Sequence, residues 1–115
     1  MTNIAFKQAH SGNYRRAARG KEDIRYLVIH FTANDGDTAK NNADYFAREA
    51  PGVSAHFFVD EKEIWQSVRE KDIAWHCGTR GMYFHPYCRN ANSIGIELCS
   101  RKTARNSTLC PRPCA

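Results

Sequence analysis

Ionisable side chains set into otherwise apolar strands are the residues of this chain best suited to chemistry. Tyr26-Leu27-Val28-Ile29-His30-Phe31-Thr32 is a β-branched, aromatic run. Alternation puts Val28, His30 and Thr32 on one side of the pleat and Leu27, Ile29 and Phe31 on the other. In Ser93–Cys99, Ser93, Gly95, Glu97 and Cys99 share one face, and Ile94, Ile96 and Leu98 the opposite one. Each segment thus has a wholly apolar side and a side with one strongly ionisable group. As neighbours in one sheet, the two strands project His30 and Glu97 together. A carboxylate enclosed like Glu97 needs a partner or water, and with a raised pKa it serves as a general base. Gly95 on the same face leaves bare backbone against which a ligand can lie. Taken singly, His30 also reads as a hydrogen-bonded core histidine, and Glu97 as a strand-end carboxylate reaching water or an arginine.

The other candidates are dispersed. His56 lies in Ser54-Ala55-His56-Phe57-Phe58, His76 at a loop mouth in Ala74-Trp75-His76-Cys77-Gly78, and His85 between Phe84 and Pro86. No pair has the i, i+4 helical spacing of a two-histidine zinc motif. The five cysteines (Cys77, Cys88, Cys99, Cys110 and Cys114) are an odd number without a CxxC pair, which predicts reduced thiols, at least one available to a metal. Trp65, Trp75, Tyr83 and Tyr87 suit either a sugar-binding groove or the core.

Several elements must position these groups. Tyr26–Thr32 predicts a central strand covered on both faces. Asn34-Asp35-Gly36-Asp37 is a turn, Asp37 or Thr38 caps a helix, and Ala39, Ala43, Phe46, Ala47 and Ala50 form its apolar face before Pro51-Gly52 ends it. Ser54–Asp60 and Glu63–Val68 predict a hairpin, Trp75–Asn92 a long surface loop, and Ser93–Cys99 a final strand. The order strand, helix, hairpin, strand implies an α/β or α+β sheet protein.

A chain of 115 residues with 42% hydrophobic and 25% charged residues suits one globular domain and is too apolar for a disordered tail. No run approaches the roughly 20 apolar residues of a membrane span, and Met1–Gly20 lacks the apolar stretch of a signal peptide. Manufacture in the cytoplasm is therefore expected. The formal charge of +5 is uneven: Met1–Lys21 carries five basic residues and no acid, residues 101–115 four and no acid, and the stretch between is net −4. Basic ends suit an anionic polymer such as wall material, or simply solvated tails. The acidic body, without a basic helix, argues against a nucleic-acid binder.

Five blocks in order carry a resemblance: Leu27–Thr32, Val53–Asp60, Ile64-Trp65-Gln66, Ala74–Gly78 and Asn92–Cys99. Together they resemble the zinc-dependent N-acetylmuramoyl-L-alanine amidases of phage endolysins and bacterial autolysins, relatives of the peptidoglycan recognition proteins. The resemblance covers roughly residues 24–100. It implies an α/β fold, a single mixed β-sheet flanked by helices. The domain is then 1–115, with the core at about 24–100, a basic N-terminal segment 1–21 and a basic tail 101–115.

The same resemblance implies a Zn2+ held by two histidines and a Cys or Asp. His30 matches the first zinc histidine and Cys110, before Pro111, the thiolate ligand. Glu97 matches the water-activating carboxylate, and His56 with the Trp75-His76 block the substrate groove. In the mechanism expected here His76 donates to the developing oxyanion, and Thr32 and Gly95 are further substrate-binding residues. Only nine residues separate Ser100 from Cys110, where the family has a long helix and its second zinc histidine, and the matching position is Lys102. The expected fold is accordingly C-terminally shortened. Another histidine (His76 or His85) or water would complete the site, and an uncovered sheet face would be open to a homodimer or partner. The implied function is hydrolysis of the N-acetylmuramoyl-L-alanine amide of peptidoglycan, acting on the wall after release from the cell. The alternative is a non-catalytic peptidoglycan-binding module with an incomplete zinc site.

Overall fold

The apolar alternation of Tyr26–Phe31 and Ser93–Leu98 resolves into two adjacent parallel strands at one side of a mixed sheet. The computed structural model describes residues 3–31, 37–77 and 86–99. Along the described chain run β1 (Ile4–Phe6), β2 (Tyr14–Arg15), β3 (Tyr26–Phe31), α1 (Ala39–Arg48), β4 (Phe57–Val59), β5 (Ile64–Gln66), β6 (Ile73–Ala74) and β7 (Ser93–Leu98). The main sheet has the order β1-β5-β4-β7-β3, and β2 with β6 forms a small antiparallel pair. β7 is parallel to both β3 and β4, β4 and β5 make the expected hairpin, and β1 joins β5 in parallel. Among the described residues, no helix is long and apolar enough to cross a membrane.

α1 starts where the capping residues predict. Thr38 Oγ1 accepts the Asn41 N–H at 3.0 Å, and Asp60 Oδ2 accepts the Ala39 N–H at 2.8 Å. Ala39 and Ala43 are fully buried against Ala55, Phe58 and Cys99, and Phe46 stacks on Phe58 with centroids 5.5 Å apart. Two alanines on the contact stripe let the helix sit close over β4 and β5. Phe58, Glu97 and His30 lie in one register row, so the helix covers one end of the face whose other end bears the candidate groups.

The amino-terminal segment is part of the fold, where a basic arm outside the core was expected. β1 and β2 arise from it, and Asn13, fully buried, donates through Nδ2 to the Phe46 and Glu49 carbonyls at 2.8 Å each. Two of its five basic residues have structural work: Lys7 pairs with Asp44 at 2.9 Å. Arg19 donates to the carbonyls of Glu70, Asn90, Ala91 and Ser93 at 2.8–3.2 Å. β3 is the edge strand, where a central strand covered on both faces was expected: on its apolar face Leu27 is 71% and Ile29 54% accessible.

Candidate metal centre and catalytic site

Parallel pairing sets residue against residue from Tyr26 opposite Ser93 to Phe31 opposite Leu98, and in this register His30 stands opposite Glu97. Register partners in adjacent strands project to the same face, so the two side chains share one end of the sheet. His30 is 2% exposed, and Glu97 is half-buried.

Over this pair lies the segment after β6. The N–H groups of His76 and Cys77 both donate to Asn90 Oδ1, at 3.0 and 2.8 Å, which holds the dipeptide in place. The His76 ring rests on Gly95, where a side-chain carbon would come within 2.6 Å of it, so only glycine admits the ring there. His76 Nδ1 is 3.1 Å from His30 Nε2 and 3.3 Å from Cys77 Sγ. His76 Nε2 is 3.0 Å from Ser93 Oγ, whose hydroxyl is already donated to the Arg89 carbonyl at 2.7 Å. Ser93 Oγ can therefore only accept from the ring. The network assigns the proton to Nε2 and leaves the Nδ1 lone pair facing His30 and Cys77. Burial, with the nearby His30 and His56, lowers the His76 pKa to about 3, which keeps the ring neutral at pH 7.

These three residues suit a divalent ion. One donor atom from each of His30, His76 and Cys77 lies within 4.8 Å of the other two. Bonds of about 2.0–2.3 Å in a tetrahedral site put neighbouring donors about 3.3–3.8 Å apart, close to the two shortest separations here. Two imidazoles and a thiolate are a borderline-soft set of the kind zinc takes.

The structure redistributes the other candidates. His76 has its single ring N–H committed to Ser93, so in this arrangement it does not offer the oxyanion donor expected of it. His56, expected in the groove, is fully buried beneath Gly95. Its Nδ1 accepts the Gly95 N–H at 3.1 Å and its Nε2–H goes to the Asp72 carbonyl at 2.8 Å. Arg19 Nη2, 3.1 Å from the same Nε2, is then a neighbour and not a hydrogen-bond donor to it. Gly95 is covered by His76 instead of lying bare, and Trp75 is half-buried beside Ser54. Thr32, His85, Lys102 and Cys110 lie outside the described residues. From sequence, Cys77 was one of five thiols open to a metal and was not singled out, and Ser93 was given no role. Ser93 already shared the face of Gly95 and Glu97, but Cys77 carried no spacing signal.

Comparison with known proteins follows the same outline. The sequence profile described as N-acetylmuramoyl-L-alanine amidase matches residues 20–110. N-acetylmuramoyl-L-alanine amidase CwlA of Bacillus subtilis is 38% identical over 80 residues, covering 68% of this chain and 27% of that protein. AmiD of Escherichia coli, of the same description, is 34% identical over 107 residues, covering 85% of this chain and 37% of its own length. Among solved structures, a mutant endolysin from Bacillus subtilis superposes with a TM-score of 0.68 at 32% identity, over 94% of this chain and 69% of that one. The catalytic domain of XlyA gives 0.68 at 29% identity, over 86% and 63%. The chain therefore spans well under half the length of the curated relatives it matches.

Proposed function

Because this chain belongs to the N-acetylmuramoyl-L-alanine amidase family, we propose that it is a zinc-dependent hydrolase of the amide joining N-acetylmuramic acid to the L-alanine of the peptidoglycan stem. The observation that carries this reading is the His30–Glu97 register pair, two chemically distinct groups brought to one face by adjacent parallel strands. An amide resists neutral water, so the reaction needs an electrophile on the carbonyl and a base on the water. Zinc supplies Lewis acidity, polarising a carbonyl and making water nucleophilic near neutral pH. His30 is the ligand common to the sequence resemblance and the donor cluster. Glu97 takes the proton from the attacking water and returns it to the leaving alanine amine, which departs neutral as the C–N bond breaks. His56, below the floor, holds the Gly95 backbone and so the height of the surface on which the site is built.

Glu97→Gln should keep the fold and lower kcat by roughly 10²–10⁴-fold, the usual worth of a positioned acid–base group, with little change in KM. Dye release from labelled cell walls, with new alanine amino termini counted in parallel, measures it. Chelation should abolish release and zinc restore it. Protein that binds walls but never frees alanine amines, with zinc supplied, would overturn the hydrolase reading and leave a wall-binding module.

A further inference from the structure

We propose that the ion is held by His30, His76 and Cys77, with the Cys77 thiolate, and not Cys110, as the sulfur ligand. This rests on the zinc reading above and departs from the ligand set that the sequence resemblance implies. Three protein donors are the number found in hydrolytic zinc sites, whereas four close a structural one. The donor atoms of the three converge within 4.8 Å.

The surroundings have the features of a built ligand shell. Metal-bound imidazoles give their second N–H to a fixed acceptor, which sets the tautomer. His76 does this toward Ser93, itself anchored by Arg89. Asn90 grips the two ligand-bearing N–H groups in succession, so neither His76 nor Cys77 can swing away without the other. Gly95 supplies the clearance beneath the ring. Cys77 sits against Val28 and Cys88 in a buried apolar cluster, which fixes the position of its sulfur. On binding, the S–H bond gives its proton to solvent and the sulfur lone pair goes to the metal, so uptake releases a proton.

Cobalt(II) is the probe. The full chain with one equivalent of cobalt should show a near-ultraviolet sulfur-to-metal charge-transfer band and the intense visible bands of a tetrahedral ion. Cys77→Ser should remove the charge-transfer band and weaken zinc binding, measured by competition with a chromophoric chelator, at least tenfold. Cys110→Ser should leave both unchanged. Ser93→Ala should weaken zinc roughly 10–100-fold, as loss of an outer partner does, while the sulfur band persists. Should Cys77→Ser fail to fold, X-ray absorption on zinc-loaded protein carrying both Cys110→Ser and Cys114→Ser decides: a sulfur scatterer at about 2.3 Å supports Cys77, and shells of nitrogen and oxygen alone overturn it. Retention of the band in Cys77→Ser with its loss in Cys110→Ser overturns the assignment equally. Wall hydrolysis is followed separately. An active enzyme whose sulfur ligand is Cys110 sinks this assignment but not the hydrolase, and a Cys77-bound ion without hydrolysis does the reverse.

Discussion

Two enclosed imidazoles carry their proton on Nε2: in His56 the Gly95 N–H occupies Nδ1 and the Asp72 carbonyl accepts from Nε2, and in His76 the Ser93 oxygen at Nε2 can only accept. For His56 this has a price in acid. Burial is the main cause that lowers its pKa from 6.5 to about 4, helped by the Arg19 charge and opposed by the Asp72 carbonyl. The unfolded chain takes up the proton below about 6.5, while the folded chain waits until about 4. Stability is therefore intact above pH 6.5 and falls as the pH drops toward 4, by on the order of 3 kcal/mol for this group. Urea midpoints measured at pH 7.5, 6 and 4.5 should decrease in that order, and a flat profile would mean that the fold admits the imidazolium. The role of His56 was not readable from its neighbours in sequence, since Asp72 and Gly95, which occupy its nitrogens, lie 16 and 39 residues away.

At the scale of elements, β7 is the strand on which the site depends. Its alternation brings Ser93, Gly95 and Glu97 to one face as a hydroxyl that orients His76, a clearance beneath the ring and the proposed base. Gly95→Ala should push the His76 ring aside. We expect a loss of about 1–3 kcal/mol in urea unfolding, the usual cost of overpacking, together with weaker zinc binding. Unchanged values for both would mean that the ring does not rest there. Strand alternation made His30 and Glu97 legible as a pair because a period of two needs only six residues and one adjacency. β1, β2 and β6 were not legible: each has two or three residues and, unlike β4 and β5, no tight turn joins it to its partner, so it exists only through a distant pairing. Cys77 stayed hidden for a similar reason: Asn90, which sets it, comes from across the segment that follows.

For the molecule as a whole, the sheet has unlike sides. One bears α1 and the donor cluster, and the other presents Leu27 and Ile29 from β3 with Ile4 and Phe6 from β1, all exposed. Such a surface is where association with another chain or with itself is expected. The double substitution Leu27→Lys, Ile29→Lys should reduce binding of a hydrophobic dye and shift any dimer toward monomer in sedimentation velocity, with metal affinity retained, since both side chains point away from His30. Dye binding that does not change would place the sticky surface elsewhere.

The sheet order also bears on how the molecule is made. β7 is last in sequence among the described strands, yet it is inserted between β3 and β4. Until it emerges from the ribosome, those two earlier strands have no shared neighbour, and closure over more than 60 residues must wait for it. Glu97 and the Ser93 hydroxyl that orients His76 arrive with that same strand.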